Sequence, residues 1–161
     1  MGTVANLVSG AGTVDISGDL GYTRGGCTMN CDETIVWVDV DQEIGAVDGI
    51  LTDEVYTMKT NLAESTLANL EYAWDGTLVA LVLSFGGGTL TELSNVSIAG
   101  VGQAAQPIRT VVFLKSISIE RAEFSFVKDD ITLVPITFRA IVDTTKAVGY
   151  KIGTVTDSGG V

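Results

Sequence analysis

Histidine is missing from this chain of 161 residues. That removes Ser-His-Asp and Cys-His catalysis, and every histidine-containing zinc site, in one step. Cysteine is scarce, with only Cys27 and Cys31. Their C-x3-C spacing is not the C-x2-C of redox or zinc motifs, and two thiolates alone do not make a zinc site. In a strand the pair would share a face about 13 Å apart, too far for a disulfide. The expectation is two free thiols, buried or half-buried, in a reducing compartment. Charge is also thin: charged residues make up 18% of the chain, against about 25% in a typical domain. With a mean hydropathy of +0.38, a monomer would cover its surface poorly. Buried subunit interfaces are therefore expected, because interface cores are depleted in charge. Long hydrophobic runs are lacking too. The longest, Leu78–Leu83, falls far short of the roughly 20 residues of a membrane span. The first eight residues have no basic start and no sustained apolar core, so no secretory leader is expected. Asn6 stands where a myristoylation signal needs Ser or Thr. These readings predict a protein made in a cytoplasm and not held in a membrane.

What is present suits one ordinary domain over residues 1–161. A chain of this length buries roughly 70% of the surface its unfolded form exposes, enough for a core without disulfide or metal. Hydrophobic residues are 46% of the total, a globular composition. The net charge is −11 and the isoelectric point near 4.1. Such acidity argues against a nucleic-acid reader, which needs a Lys/Arg footprint, and against docking on anionic lipid. A negative wall beside DNA is a different matter, since it repels phosphate without binding it.

The pattern along the chain is mainly β. Residues 1–13 read as an N-terminal arm and Val14–Leu20 as a short strand or hairpin arm. Thr34–Val40 alternates, with Val36, Val38 and Val40 on a face expected in the core. Ile35, Trp37, Asp39, Asp41 and Glu43 then face water or a wet cavity. Residues 42–52 read as a loop of about ten residues, a length that usually signals function. Val55–Thr60 is the return strand. Asn61 then reads as the N-cap of a helix with Glu64 three residues on, and Leu62, Leu67, Leu70 and Trp74 form one stripe over about residues 62–74. Asp75-Gly76 ends it, with Gly in the left-handed position. Thr77–Phe85, Asn95–Val101, Thr110–Ile119, Glu120–Val127 and Thr132–Val142 are further strand candidates. Pro135 suggests an edge or bulge. Residues 151–161 read as a loose tail. The expected fold class is a mainly β sandwich or barrel subunit with one flanking helix.

No pattern carries chemistry. Asp39, Asp41 and Glu43 resemble half of a calcium loop, but Ile44 stands where glycine is needed and Ile50 where glutamate is needed. Nothing marks a carboxylate pair for glycoside hydrolysis. Gly86-Gly87-Gly88 lacks the Gly-Lys-Ser/Thr end of a phosphate loop. No catalytic residue, cofactor site or metal site is expected.

One block has a recognisable order. Asp19-Leu20-Gly21-Tyr22-Thr23-Arg24-Gly25-Gly26 is followed by Val40-Asp41-Gln42, Gly45-Ala46-Val47-Asp48, Leu51-Thr52 and Leu62-Ala63-Glu64-Ser65-Thr66-Leu67. Over Gly18–Trp74 the chain resembles the tail tube proteins of tailed bacteriophages. Arg24 stands where Lys is usual in them, and Glu43-Ile44 where another Gly is common. The resemblance implies a subunit that forms rings, typically of six copies, stacked into a tube that conducts DNA without binding it specifically. It implies a virion tail location, other tail proteins as partners and no membrane. It also implies a long hairpin that lines the lumen, here through Asp39, Asp41 and Glu43. The hairpin loop would contact the next ring, here through Ile44, Val47, Asp48, Ile50 and Leu51. A second reading stays open: a β-sandwich module for carbohydrate or another ligand, or a capsid decoration, with Trp37 as its platform.

Overall fold

The computed structural model describes residues 6–7, 11–15, 19–88, 90–101, 108–120, 123 and 132–158. It is mainly β with one helix. Ten strands run in chain order: β1 (Asn6–Leu7), β2 (Ala11–Asp15), β3 (Asp19–Asp39), β4 (Ala46–Leu62), β5 (Thr77–Val79), β6 (Val82–Ser84), β7 (Glu92–Val101), β8 (Ile108–Ile119), β9 (Val134–Ala140) and β10 (Gly153–Ser158). The helix α1 (Leu67–Trp74) lies between β4 and β5.

The large sheet has the order β1-β7-β2-β3-β4-β9-β8-β10, and β7 also pairs β8. That last pairing closes the curled sheet on itself around six strands. Every pairing is antiparallel except β1 with β7. Closure removes open edges where the core is thickest. Val134, Ile136 and Phe138 of β9 point inward at period two and meet Met58 and Leu62 of β4 and Val96 and Phe113 of the β7–β8 pair. In β7, Asn95 takes φ 55 and breaks the alternation, so Leu93 and Val96 are both buried although three apart.

The helix is shorter than its stripe predicts. Asn61 and Leu62 are the last residues of β4, paired to Pro135 and Val134, so Asn61 is no N-cap. Leu62 is fully buried as part of the strand. The cap is Thr66, whose hydroxyl accepts from the Asn69 amide at 3.2 Å. Leu67 is exposed, and the buried face is Asn69, Leu70 and Ala73. At the far end Asp75, not Gly76, takes the left-handed conformation at φ 52, ψ 52. The Asn69 side-chain Nδ2 donates to the carbonyls of Leu20 (2.9 Å) and Glu64 (2.7 Å), tying α1 to β3.

Other boundaries move as well. Thr77–Phe85 is not one strand but the small β5–β6 hairpin, whose Trp74–Phe85 contact (5.0 Å between ring centres) sets it beside α1. Gly153–Ser158, expected in a loose tail, pairs along β8 from Phe113 to Ile108. Ala11–Asp15, within or next to the expected arm, is strand β2. Pro135 is in β9, where it pairs with Asn61 of β4, and among the described residues β8 pairs β9 only as far as Thr137. Most of the candidate strand Glu120–Val127 lies outside the described residues.

Candidate functional site

Strands β3 and β4 are far longer than their neighbours need. Among the described residues, pairing of β3 with β2 runs to Arg24 and pairing of β4 with β9 runs to Thr57. The two strands continue together as a ribbon from Cys31↔Tyr56 to Asp39↔Ala46. At about 3.3 Å per residue the ribbon projects roughly 25–30 Å. From Cys31 to Glu54 every residue is exposed except Val38, which is half-buried.

The exposure corrects the expected core face. Val36 (51% exposed) and Val40 (39%) do not pack inward, because among the described residues no third strand or helix lies beneath the ribbon. The expected ten-residue loop is also shorter. β4 begins at Ala46, so the tip is residues 40–45, with Gly45 at φ 110. Asp39 therefore ends a strand, while Asp41 and Glu43 sit in the turn instead of alternating with it. Of the residues expected to bridge rings, only Ile44 is in the tip turn, where it is fully exposed. Val47, Asp48, Ile50 and Leu51 lie on β4.

Register assigns the faces. Trp37 pairs with Gly49 and Ile35 with Leu51. A Cβ on Gly49 would come within 2.9 Å of Trp37 Cζ3 and 3.3 Å of Ile35 Cγ2, so the indole lies over the glycine and beside Ile35. Val36 with Ile50, and Val38 with Asp48, occupy the opposite face. Near Thr52 the register slips by one, and its hydroxyl donates to the Thr34 carbonyl at 3.0 Å.

Carboxylates run the length of the ribbon, from its root to its tip. Residues 32–54 hold Asp32, Glu33, Asp39, Asp41, Glu43, Asp48, Asp53 and Glu54 and no Lys or Arg. Glu33 stands directly opposite Glu54, an arrangement that costs pairing energy. Asp32, Glu33, Asp53 and Glu54 form a band at the root that the alternation of Thr34–Val40 did not single out. Its signal was in the composition, an acidic stretch without cations, but pairing was needed to show it as one band. Tyr56 beside it donates to Glu54 Oε1 at 3.2 Å. Its hydroxyl titrates above the ordinary range, first through a hydrogen bond with Cys31, then through desolvation and Glu54.

No protein-family model and no curated protein matches this chain.

The two cysteines are free. Cys27 is half-buried, and burial pushes its thiol up to about 12. Cys31 is exposed, against expectation, because it lies where the ribbon has already left the barrel. Among the described residues, no three His, Cys, Asp or Glu side chains gather closely enough to hold a metal ion. Where the ribbon departs, an open cleft of about 490 Å³ lies between Met29, Glu54 and Tyr56 on one side and β8, β10 and the 141–152 segment on the other.

Proposed function

We propose that the chain is a structural subunit that self-assembles, and specifically a tail tube subunit whose stacked rings form an acidic-walled conduit for DNA. The observation that carries the reading is the ribbon. A two-stranded ribbon is marginal in water by itself, and this one exposes Ile35, Val36, Trp37, Ile50 and Leu51, between 39% and 62% each. Such an element is retained because something covers it.

The acid has a separate role in this reading. A wall of carboxylates without cations repels phosphate, so DNA passes without sticking. The root band Asp32, Glu33, Asp53 and Glu54 joins Asp39, Asp41 and Glu43 as the candidate wall. Negative-stain microscopy and sedimentation of the purified chain test the proposal. Rings or tubes are the expected outcome. A chain that stays monomeric across concentration and ionic strength, and that binds glycans through Trp37, would replace it with the ligand-binding reading.

A further inference from the structure

We propose that an extended segment of a different protein, with apolar residues alternating with Lys or Arg, adds as a strand in the cleft at the ribbon root. The proposal does not depend on the self-assembly reading. Backbone hydrogen bonding carries it. The Leu114 amide donates to the Ile152 carbonyl at 3.0 Å, in line with the β8–β10 register. An antiparallel ladder alternates bonded and non-bonded pairs. Thr154, Thr156 and Ser158 therefore bond β8, and the amides and carbonyls of Gly153, Val155 and Asp157 point to the other edge of β10. No strand pairs that edge among the described residues. The same alternation orients β4. The Ile141 amide donates to the Lys115 carbonyl at 2.9 Å, so Phe138 and Ile136 of β9 turn their backbone groups toward Met58 and Thr60 of β4. Tyr56 and Glu54 follow at the same period. They point to that same side of β4, past the pair at Thr57 where β9 stops among the described residues. Glu54, Tyr56, Gly153 and Val155 all line the cleft of about 490 Å³. Two unpaired strand edges thus face one opening, and an added strand completes such edges through main-chain bonds.

Side chains set the chemistry of the occupant. Glu33 stands directly opposite Glu54, so both carboxylates share the ribbon face that turns to the cleft. No cation pairs with either among the described residues, and like charges set opposite each other cost energy. A Lys or Arg on the added strand compensates them. Lys151, on the other wall of the cleft, has no ion pair among the described residues and leaves Glu54 uncompensated. Met29, Val142 and Val148 are exposed around the same opening and receive the apolar residues in between. A second copy of the chain is a poor source of such a segment. It carries 20 acidic residues against 9 basic ones, and its ribbon has no Lys or Arg from residue 32 to 54.

The test uses the full chain and a labelled peptide of alternating Val and Lys, read by fluorescence anisotropy and by amide hydrogen exchange. Binding is expected, with slowed exchange at Glu54, Tyr56 and Val155. The same peptide with every amide N-methylated keeps its charge but loses its donors, and should not bind. A peptide of alternating Val and Glu should not bind either. Val155→Pro removes an amide that donates to no strand among the described residues, a change that a strand edge tolerates. It should weaken binding about tenfold with an unchanged circular dichroism spectrum. Glu33→Gln combined with Glu54→Gln should weaken binding and flatten its dependence on salt. Equal binding of the N-methylated peptide, or unchanged affinity in Val155→Pro, reduces the contact to charge alone and overturns the added strand. Equal binding of the Val-Glu peptide overturns the basic occupant. Self-association of the parent that Val155→Pro abolishes assigns the edge to a second copy and also overturns the proposal. Exchange on the parent decides without any variant: an unchanged rate at Val155 overturns the proposal. Rings or tubes without peptide binding overturn it too, and leave the self-assembly reading standing.

Discussion

Gly49 shows how much a single missing side chain can decide. Its neighbour Trp37 lies where a Cβ would be, 2.9 Å from the ring edge. A glycine in a strand is weak alone, and an aromatic laid across it restores packing. Gly49→Val should push the indole off the ribbon, shift Trp37 fluorescence and change the tip face. The melting temperature of the barrel should stay unchanged, because the ribbon adds nothing to the core. A fall of several degrees would show that the ribbon and barrel are coupled. Asn69 is the opposite case, a polar side chain 4% exposed that carries two backbone carbonyls. Asn69→Ala leaves the Leu20 carbonyl without its donor and should cost about 1–3 kcal/mol in denaturant unfolding. A loss below about 0.5 kcal/mol would show that α1 is held by Leu70 and Ala73 alone. Neither role is visible as a motif, because each depends on a residue brought near by pairing or by a distant strand.

At the scale of elements, the ribbon separates from the barrel. Replacing Ile35–Thr52 with a two-residue Asn-Gly turn should close a short hairpin. It should leave the barrel folded, measured as an unchanged near-ultraviolet spectrum, while assembly is lost by sedimentation. Persistent assembly would move the interface to the exposed β5–β6 hairpin or elsewhere. The long hairpin itself was legible in the alternation of Thr34–Val40 and in the return strand at Val55–Thr60. Its exposure was not. A period of two reports that two faces differ, and a buried side was inferred from valine, yet only the neighbours of a strand decide whether that side is covered. The helix shows the same limit. Asn61 with Glu64 makes a good capping pattern, but the ladder with β9 keeps Asn61 and Leu62 extended, and the next hydroxyl, Thr66, caps instead. Local propensity loses where a long-range ladder offers both hydrogen bonds and burial.

For the whole molecule, three carboxylates on the surface of the barrel titrate below their ordinary range. Glu120 does so because Lys59 donates to it at 2.9 Å, with help from Thr137. Asp157 does so because Arg109 donates to it twice at 2.8 Å, and Asp143 because of the Thr145 hydroxyl and amide. A lowered folded value means stability that is fully present above the unfolded value and is lost as pH falls through the folded one. The barrel should therefore hold its stability down to the ordinary carboxylate range, 3.8 to 4.5, and lose it below. A fluorescence titration from pH 7 to 2 checks this. An unfolding limb that begins above pH 5 would mean that these pairs do not govern the acid response.

The sequence by itself determined the composition-level facts and the class. Sparse charge, alternating β-branched residues and turn glycines make a mainly β fold, and an acidic stretch without cations is a property of the chain wherever it is placed. Tertiary structure alone decided closure, exposure and proximity. The β7–β8 pairing closes the sheet, Gly153–Ser158 becomes strand β10 because β8 offers it an edge, and among the described residues the ribbon stands free because β2 and β9 stop short of it. These outcomes come from contacts between residues far apart in the chain, whose burial and hydrogen bonds outweigh the weak local preferences that a single sequence can reveal.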